Sequence, residues 1–184
     1  MGSASGRKGE KILVNRAPVL TLWAAVVAQR LGFDEDEALT LGRALAGLNA
    51  QAKGQRLGIF KPHEKKPAEV RKIPAEQRIG IELMGRVIPA INTPDGIRAL
   101  QKDRPIPPDS VRRYLQSKFG PHLDAVREAM WELAAAWPPK KLAQMAFHLY
   151  EQFRPEVPEG VRGWGAKGEL DLARIRALKP TAGR

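Results

Sequence analysis

The chain has 184 residues, 43% of them hydrophobic, which is enough apolar material for one ordinary domain or two small ones and excludes wholesale disorder. Lys and Arg number 31 against 20 Asp and Glu, a formal net charge of +11 that draws phosphate polymers or anionic surfaces, or simply serves solubility. There is no cysteine, so disulfides and thiolate metal sites are excluded, and no apolar run approaches the ~20 residues that span a bilayer.

Residues 1–16 read as a flexible basic arm: Gly, Ser, Arg7, Lys8 and Lys11 precede only a brief apolar run, Ile12 to Val14, too short for a secretory signal. Residues 17–54 read as a helical hairpin. Pro18 suits a first helical turn, and Leu20, Trp23, Val27 and Leu31 recur at three- and four-residue steps up to Gly32. Asp34 offers a cap for a second helix, with Glu35, Asp36 and Glu37 at the positive end of its dipole. Ala38, Leu41, Leu45, Leu48 and Ala52 carry that helix to Gly54. Gly42 and Gly47 inside it each cost about 1 kcal/mol of helix propensity, which close approach of another backbone would explain.

Residues 55–78 read as a basic linker or loop, because Pro62, Pro67 and Pro74 deny it a long regular element. Residues 79–91 admit two readings. Ile79, Ile81 and Leu83 alternate with Gly80 and Glu82 as in a half-buried strand, and Met84, Gly85 and Arg86 can turn the chain into a second one. Ile79, Leu83, Val87 and Ile91 also fit a helical face, but Gly80, Gly85 and Pro89 weigh against it, and the β-hairpin is preferred.

From 93 onward the pattern is helical. Thr93 can cap and Pro94 can open a short helix through Leu100. A proline-rich turn follows, then Asp109 or Ser110 caps a helix holding Val111, Tyr114, Leu115 and Phe119, with Gly120 as its stop. Leu123, Val126, Met130, Leu133 and Trp137 mark the next helix. Leu142, Met145, Leu149 and Phe153 mark another, and Leu170, Leu172, Ile175 and Leu178 a short closing one. Trp23, Trp131 and Trp137 are assigned to the core. The predicted fold class is therefore mainly α: a helical hairpin plus a compact helical bundle over 79–184, with a small β-hairpin near 79–91.

Segment 93–119 carries the clearest functional pattern. With Val111, Tyr114, Leu115 and Phe119 inward, Arg112, Arg113, Gln116 and Lys118 face outward, and Arg and Gln are the side chains that grip base edges and phosphates. The Asp-Ser-Val-Arg-Arg-Tyr-Leu run resembles the start of the second helix of helix-turn-helix proteins, and that resemblance implies a recognition helix. The three-proline turn before it is longer than the usual connection. Lys53, Arg56, Lys65, Lys66 and Arg71 would neutralise backbone phosphates. Base stacking has little support there, since Phe60 stands alone among the aromatics.

Other chemistry finds no pattern to hold it. His63, His122 and His148 are isolated and without ligand-spaced partners, so no metal is expected. No hydroxyl sits in a nucleophile elbow, and Gly163 to Gly168 lacks the spacing of a phosphate loop. No catalytic residue and no cofactor are nominated. The expectation is a cytoplasmic, basic nucleic-acid-binding protein, with DNA favoured over RNA and no membrane partner. A helical protein-interaction module, or an enzyme with an unfamiliar site, stands beside it.

Overall fold

The computed structural model describes residues 11–56, 74–157 and 166–180. Its centre is helix α1, Arg16–Arg30, in which every residue from Pro18 to Ala28 is buried. The sequence explains this: no charged side chain falls between Arg16 and Arg30, and a helix that is apolar all round belongs in the interior. The single apolar face read from Leu20, Trp23, Val27 and Leu31 was therefore too narrow. Trp23 is fully enclosed, its Nε1 donates to the Ala146 carbonyl at 2.9 Å, and its ring meets Phe153 edge-on at 5.3 Å. Arg16 and Arg30 bracket the buried stretch. Arg16 Nε donates to the Pro155 carbonyl at 2.7 Å, and Arg30 donates to the carbonyls of Ala134 and Trp137.

Helix α2, Glu35–Arg56, returns antiparallel against α1 and completes the expected hairpin. A reciprocal capping box starts it: the Glu37 nitrogen donates to Asp34 Oδ1 at 2.8 Å, and the Asp34 nitrogen donates to Glu37 Oε1 at 3.0 Å. Gly42 faces α1 at contact distance.

A four-stranded antiparallel sheet follows, in the order β2-β3-β4-β5: β2 is Arg78–Leu83, β3 Arg86–Thr93, β4 Gly96–Gln101 and β5 Arg104–Pro105. The preferred hairpin is present, with Met84 (φ 51°) and Gly85 (φ 81°) both in the left-handed region that a two-residue hairpin turn requires. Leu83, Ile88, Ala90 and Ala99 are buried, whereas Val87 stays exposed, so one face of the sheet meets the core. Beyond the β5 stub, β4 presents an open edge, and α2 covers it. Glu37 Oε2 accepts from the Ile97 nitrogen at 2.9 Å and Thr40 Oγ1 accepts from the Ala99 nitrogen at 3.0 Å. Side chains three apart on a helix thus satisfy nitrogens two apart on a strand, and the edge is closed to other chains.

The mainly α expectation is overturned: this is a mixed α/β fold with two antiparallel sheets. The decisive error lies at 93–101. The short helix predicted from Pro94 to Leu100 is instead the turn between β3 and β4 and then β4 itself. Thr93 does use its hydroxyl as a cap would, accepting from the Asp95 nitrogen, but it also donates to the Gly96 carbonyl, and Gly96 takes φ +119°. Cap chemistry and turn chemistry employ the same atoms. A segment of strand and turn leading into one helix is not a helix-turn-helix.

The remaining helices are α3, Pro108–Phe119, α4, Leu123–Ala136, and α5, Pro139–Phe153. Gly120 ends α3 with φ +56°, as expected of a stop residue. Leu170 belongs to strand β6, Gly168–Asp171, rather than to the closing helix α6, Leu172–Ala177. Strand β1, Lys11–Val14, pairs antiparallel with β6, so part of the stretch read as an arm is structured, with Ile12 and Val14 buried and Lys11 and Leu13 out. Residues 1–10 lie outside the described residues. Trp131 is 43% exposed and is not core. No helix among the described residues is long and apolar enough to cross a membrane.

Candidate nucleic-acid interface

Helix α3 places the outward side chains foreseen for it, but it gives them unequal tasks. Arg112 is held by acids. Its guanidinium donates to Asp109 one turn back at 2.8 Å and to Asp36 in the first turn of α2, with Glu35 at 3.7 Å. The Asp36 hydrogen bond is the main reason that the Arg112 pKa is raised. Asp36 also stands 3.8 Å from the buried guanidinium of Arg98, which is further fixed by the carbonyls of Asp95 and Ile97. Arg112 is thus built into a charge network that ties α3 to α2. Gln116 is similarly occupied, its Nε2 donating to the Gly120 carbonyl at 3.1 Å.

Arg113 and Lys118 are exposed, and neither forms an ion pair among the described residues. Lys118 Nζ lies 6.0 Å from the Tyr114 ring centroid. Tyr114 itself is half buried, and Arg43 of α2 packs over its ring with Cζ 4.3 Å from the centroid. Burial raises the Tyr114 pKa and the Arg43 charge opposes the rise. A guanidinium over an aromatic face gains cation–π attraction.

Beside this stack runs an open groove of about 450 Å³, lined by Arg43, Gln101, Arg104, Ser110 and Tyr114 around a floor of Ile106 and Pro107. Arg104 and Gln101 reach it because Lys102 (φ 52°) and Asp103 (φ 62°) form a tight turn that sets the two residues opposite each other across β4 and β5. Arg78 holds that turn through Asp103 Oδ1. The groove therefore collects two guanidiniums, an amide and two hydroxyls. Its capability is recognition of oxyanions, which guanidinium forks match bidentately.

Sequence reasoning missed Arg43, Gln101 and Arg104 and assigned Tyr114 wholly to the core. A signal was present in Gln101-Lys102-Asp103-Arg104, a polar tetrapeptide of turn character between two apolar stretches. Arg43, isolated on an apolar helix, carried none. Lys65, Lys66 and Arg71 lie outside the described residues, as does most of the 55–78 linker. Lys53 and Arg56 fall in the last turns of α2, with side chains outside the described part. His122 and His148 are exposed on separate elements, and His63 lies outside the described residues, as does Trp164. No family model, no curated protein and no solved structure matches the chain.

Proposed function

We propose that the chain binds nucleic acid, DNA in preference to RNA, by gripping the phosphate backbone over the face formed by α3 and the β4–β5 turn. The observation that carries this reading is the convergence of Arg43 and Arg104 on one open groove beside Tyr114, with exposed Arg113 and Lys118 on the same helix. Lys53, Arg56, Lys65, Lys66 and Arg71 would extend the contact along the backbone. Arg112 serves as a positioning residue for α3, and Gln116 as a cap on its end. Without a first helix to cross the backbone, α3 has no helix-turn-helix partner to seat it in a major groove, so binding is expected to depend weakly on sequence.

Fluorescence anisotropy with labelled DNA and RNA duplexes across a salt series tests this. Log affinity should fall linearly with log salt. The triple variant R104A/R113A/K118A should flatten the slope by roughly 2–3 units, about 0.9 for each phosphate no longer neutralised. Absence of binding at low salt, or an unchanged slope in the triple variant, would reject the interface.

A further inference from the structure

A second cationic site lies at the start of α1, where no sequence motif points. Arg16 and Arg154 line one cavity of about 180 Å³ together with Asn15, Asn49 and Tyr150, and among the described residues no acidic side chain lines it. Two like charges share this small space, and neither guanidinium makes a salt bridge among the described residues. Arg16 is anchored through Nε to the Pro155 carbonyl at 2.7 Å, which fixes its fork. Arg154 lies 5.8 Å from the face of Tyr150. Asn15 stands at the N-cap of α1 but makes no capping hydrogen bond, and the first turn of α1 has no acidic residue, so the positive end of this buried helix adds to the same field.

The balance of charge here is unfavourable as it stands. Burial and the neighbouring Arg154 both lower the Arg16 pKa, and Tyr150 and Glu156 only partly oppose them. Leu20, Ala46, Ala50 and Val157 supply the apolar part of the wall. A lining that combines two arginines with aliphatic carbon matches a small oxyanion with a short aliphatic tail.

We propose that the Arg16–Arg154 cavity is a binding site for a small aliphatic oxyanion, a phosphate monoester or a carboxylate. Its guanidiniums pair with the anion bidentately while the tail rests on Leu20 and Val157. This site is independent of the groove beside Tyr114 and stands whether or not that groove binds nucleic acid.

Calorimetric titration of the full chain at constant ionic strength with inorganic phosphate, butyl phosphate and butyrate provides the test. Saturable binding is expected. Butyl phosphate should bind several-fold more tightly than inorganic phosphate, since each buried methylene is worth roughly a factor of 3–4. Comparing butyrate with butyl phosphate assigns the head group. R154A should weaken the best ligand by about tenfold or more, as expected when a charge-assisted bidentate pair is removed. R154K, which keeps the charge but not the fork, should weaken it by a smaller factor and covers the case in which R154A folds poorly. R104A, in the other groove, should leave the affinity within about twofold. The proposal is overturned if none of the three probes saturates, if R154A and R154K bind as wild type does, or if R104A is the variant that abolishes binding. Equal affinity for inorganic and butyl phosphate would overturn the aliphatic part of the assignment.

Discussion

Gly42 of α2 packs directly against Thr21 of α1: a Cβ on Gly42 would stand 2.4 Å from the Thr21 carbonyl oxygen and 3.0 Å from the Ala25 nitrogen. Both obstacles are backbone of the central buried helix, and neither can move without displacing it. Gly42→Ala gains about 1 kcal/mol of helix propensity but forces the hairpin apart, and overpacking of this kind costs about 1–3 kcal/mol or more. The expected result is net destabilisation. Gly47→Ala is the matching control. Its Cβ would meet nothing nearer than the Gln101 side-chain nitrogen at 3.4 Å, the far end of a flexible chain, so chemical denaturation should show a gain of up to about 1 kcal/mol. Equal effects at both positions would contradict the packing described.

Thr40 offers a second test of how the layers are joined. It is fully buried, and its hydroxyl donates to the Glu37 carbonyl while accepting from the Ala99 nitrogen. Thr40→Val preserves the shape and removes the acceptor, leaving a buried N–H on β4 without a partner. A loss of about 1–3 kcal/mol is expected in urea unfolding. Thr40→Ser keeps the hydroxyl and should retain most of that difference.

These two contacts show what the sequence could disclose. Gly42 was legible, because glycine inside a strongly periodic helix has few explanations and close packing is the commonest. The hairpin read at 79–91 was legible from the alternation of Ile79, Ile81 and Leu83 before the Met84-Gly85-Arg86 turn. Strand β4 was not. Its residues, Gly-Ile-Arg-Ala-Leu-Gln, lack alternation because Arg98, Ala99 and Leu100 are all buried, and Thr93-Pro94-Asp95-Gly96 suits a helix start and a turn equally well. The acceptors for its Ile97 and Ala99 nitrogens are Glu37 and Thr40, about sixty residues earlier, which no local window can contain. The site divides in the same way. Arg113 and Lys118 follow from the periodicity of α3, but the pairing of Arg112 with Asp36 and of Arg43 with Tyr114 are long-range facts.

The capture of Arg112 by Asp36, Asp109 and Glu35 separates stability from binding. The Arg112 side chain is 37% exposed, so solvent and salt screen the network, and Arg112→Ala should cost about 1 kcal/mol or less, diminishing as salt is raised. Its effect on DNA affinity should be small beside that of Arg113→Ala. A fall in DNA affinity at Arg112→Ala that exceeds the fall at Arg113→Ala, with unfolding unchanged, would return Arg112 to the binding surface.

The two tyrosines provide a titration that reports the core directly. Burial pushes the Tyr150 hydroxyl up to about 12, and the charges of Arg154 and Arg16 only partly offset it. Burial raises Tyr114 as well, against the charge of Arg43. In the unfolded chain a tyrosine ionises near 10. The folded form therefore holds its Tyr150 proton longer than the unfolded form does. Its contribution to stability is fully present below about pH 10 and is lost as pH rises from there through about 12, amounting to roughly 2–3 kcal/mol. Near-ultraviolet tyrosinate absorbance should place the Tyr150 transition near 12 in the native protein, and Tyr150→Phe should remove it. Because the Tyr150 hydroxyl reaches the Arg16 carbonyl only at 3.5 Å, the same variant should cost about 1 kcal/mol or less at neutral pH while flattening the alkaline fall in stability. A Tyr150 that ionises near 10 in the folded protein would place its hydroxyl in water, contrary to its burial on α5.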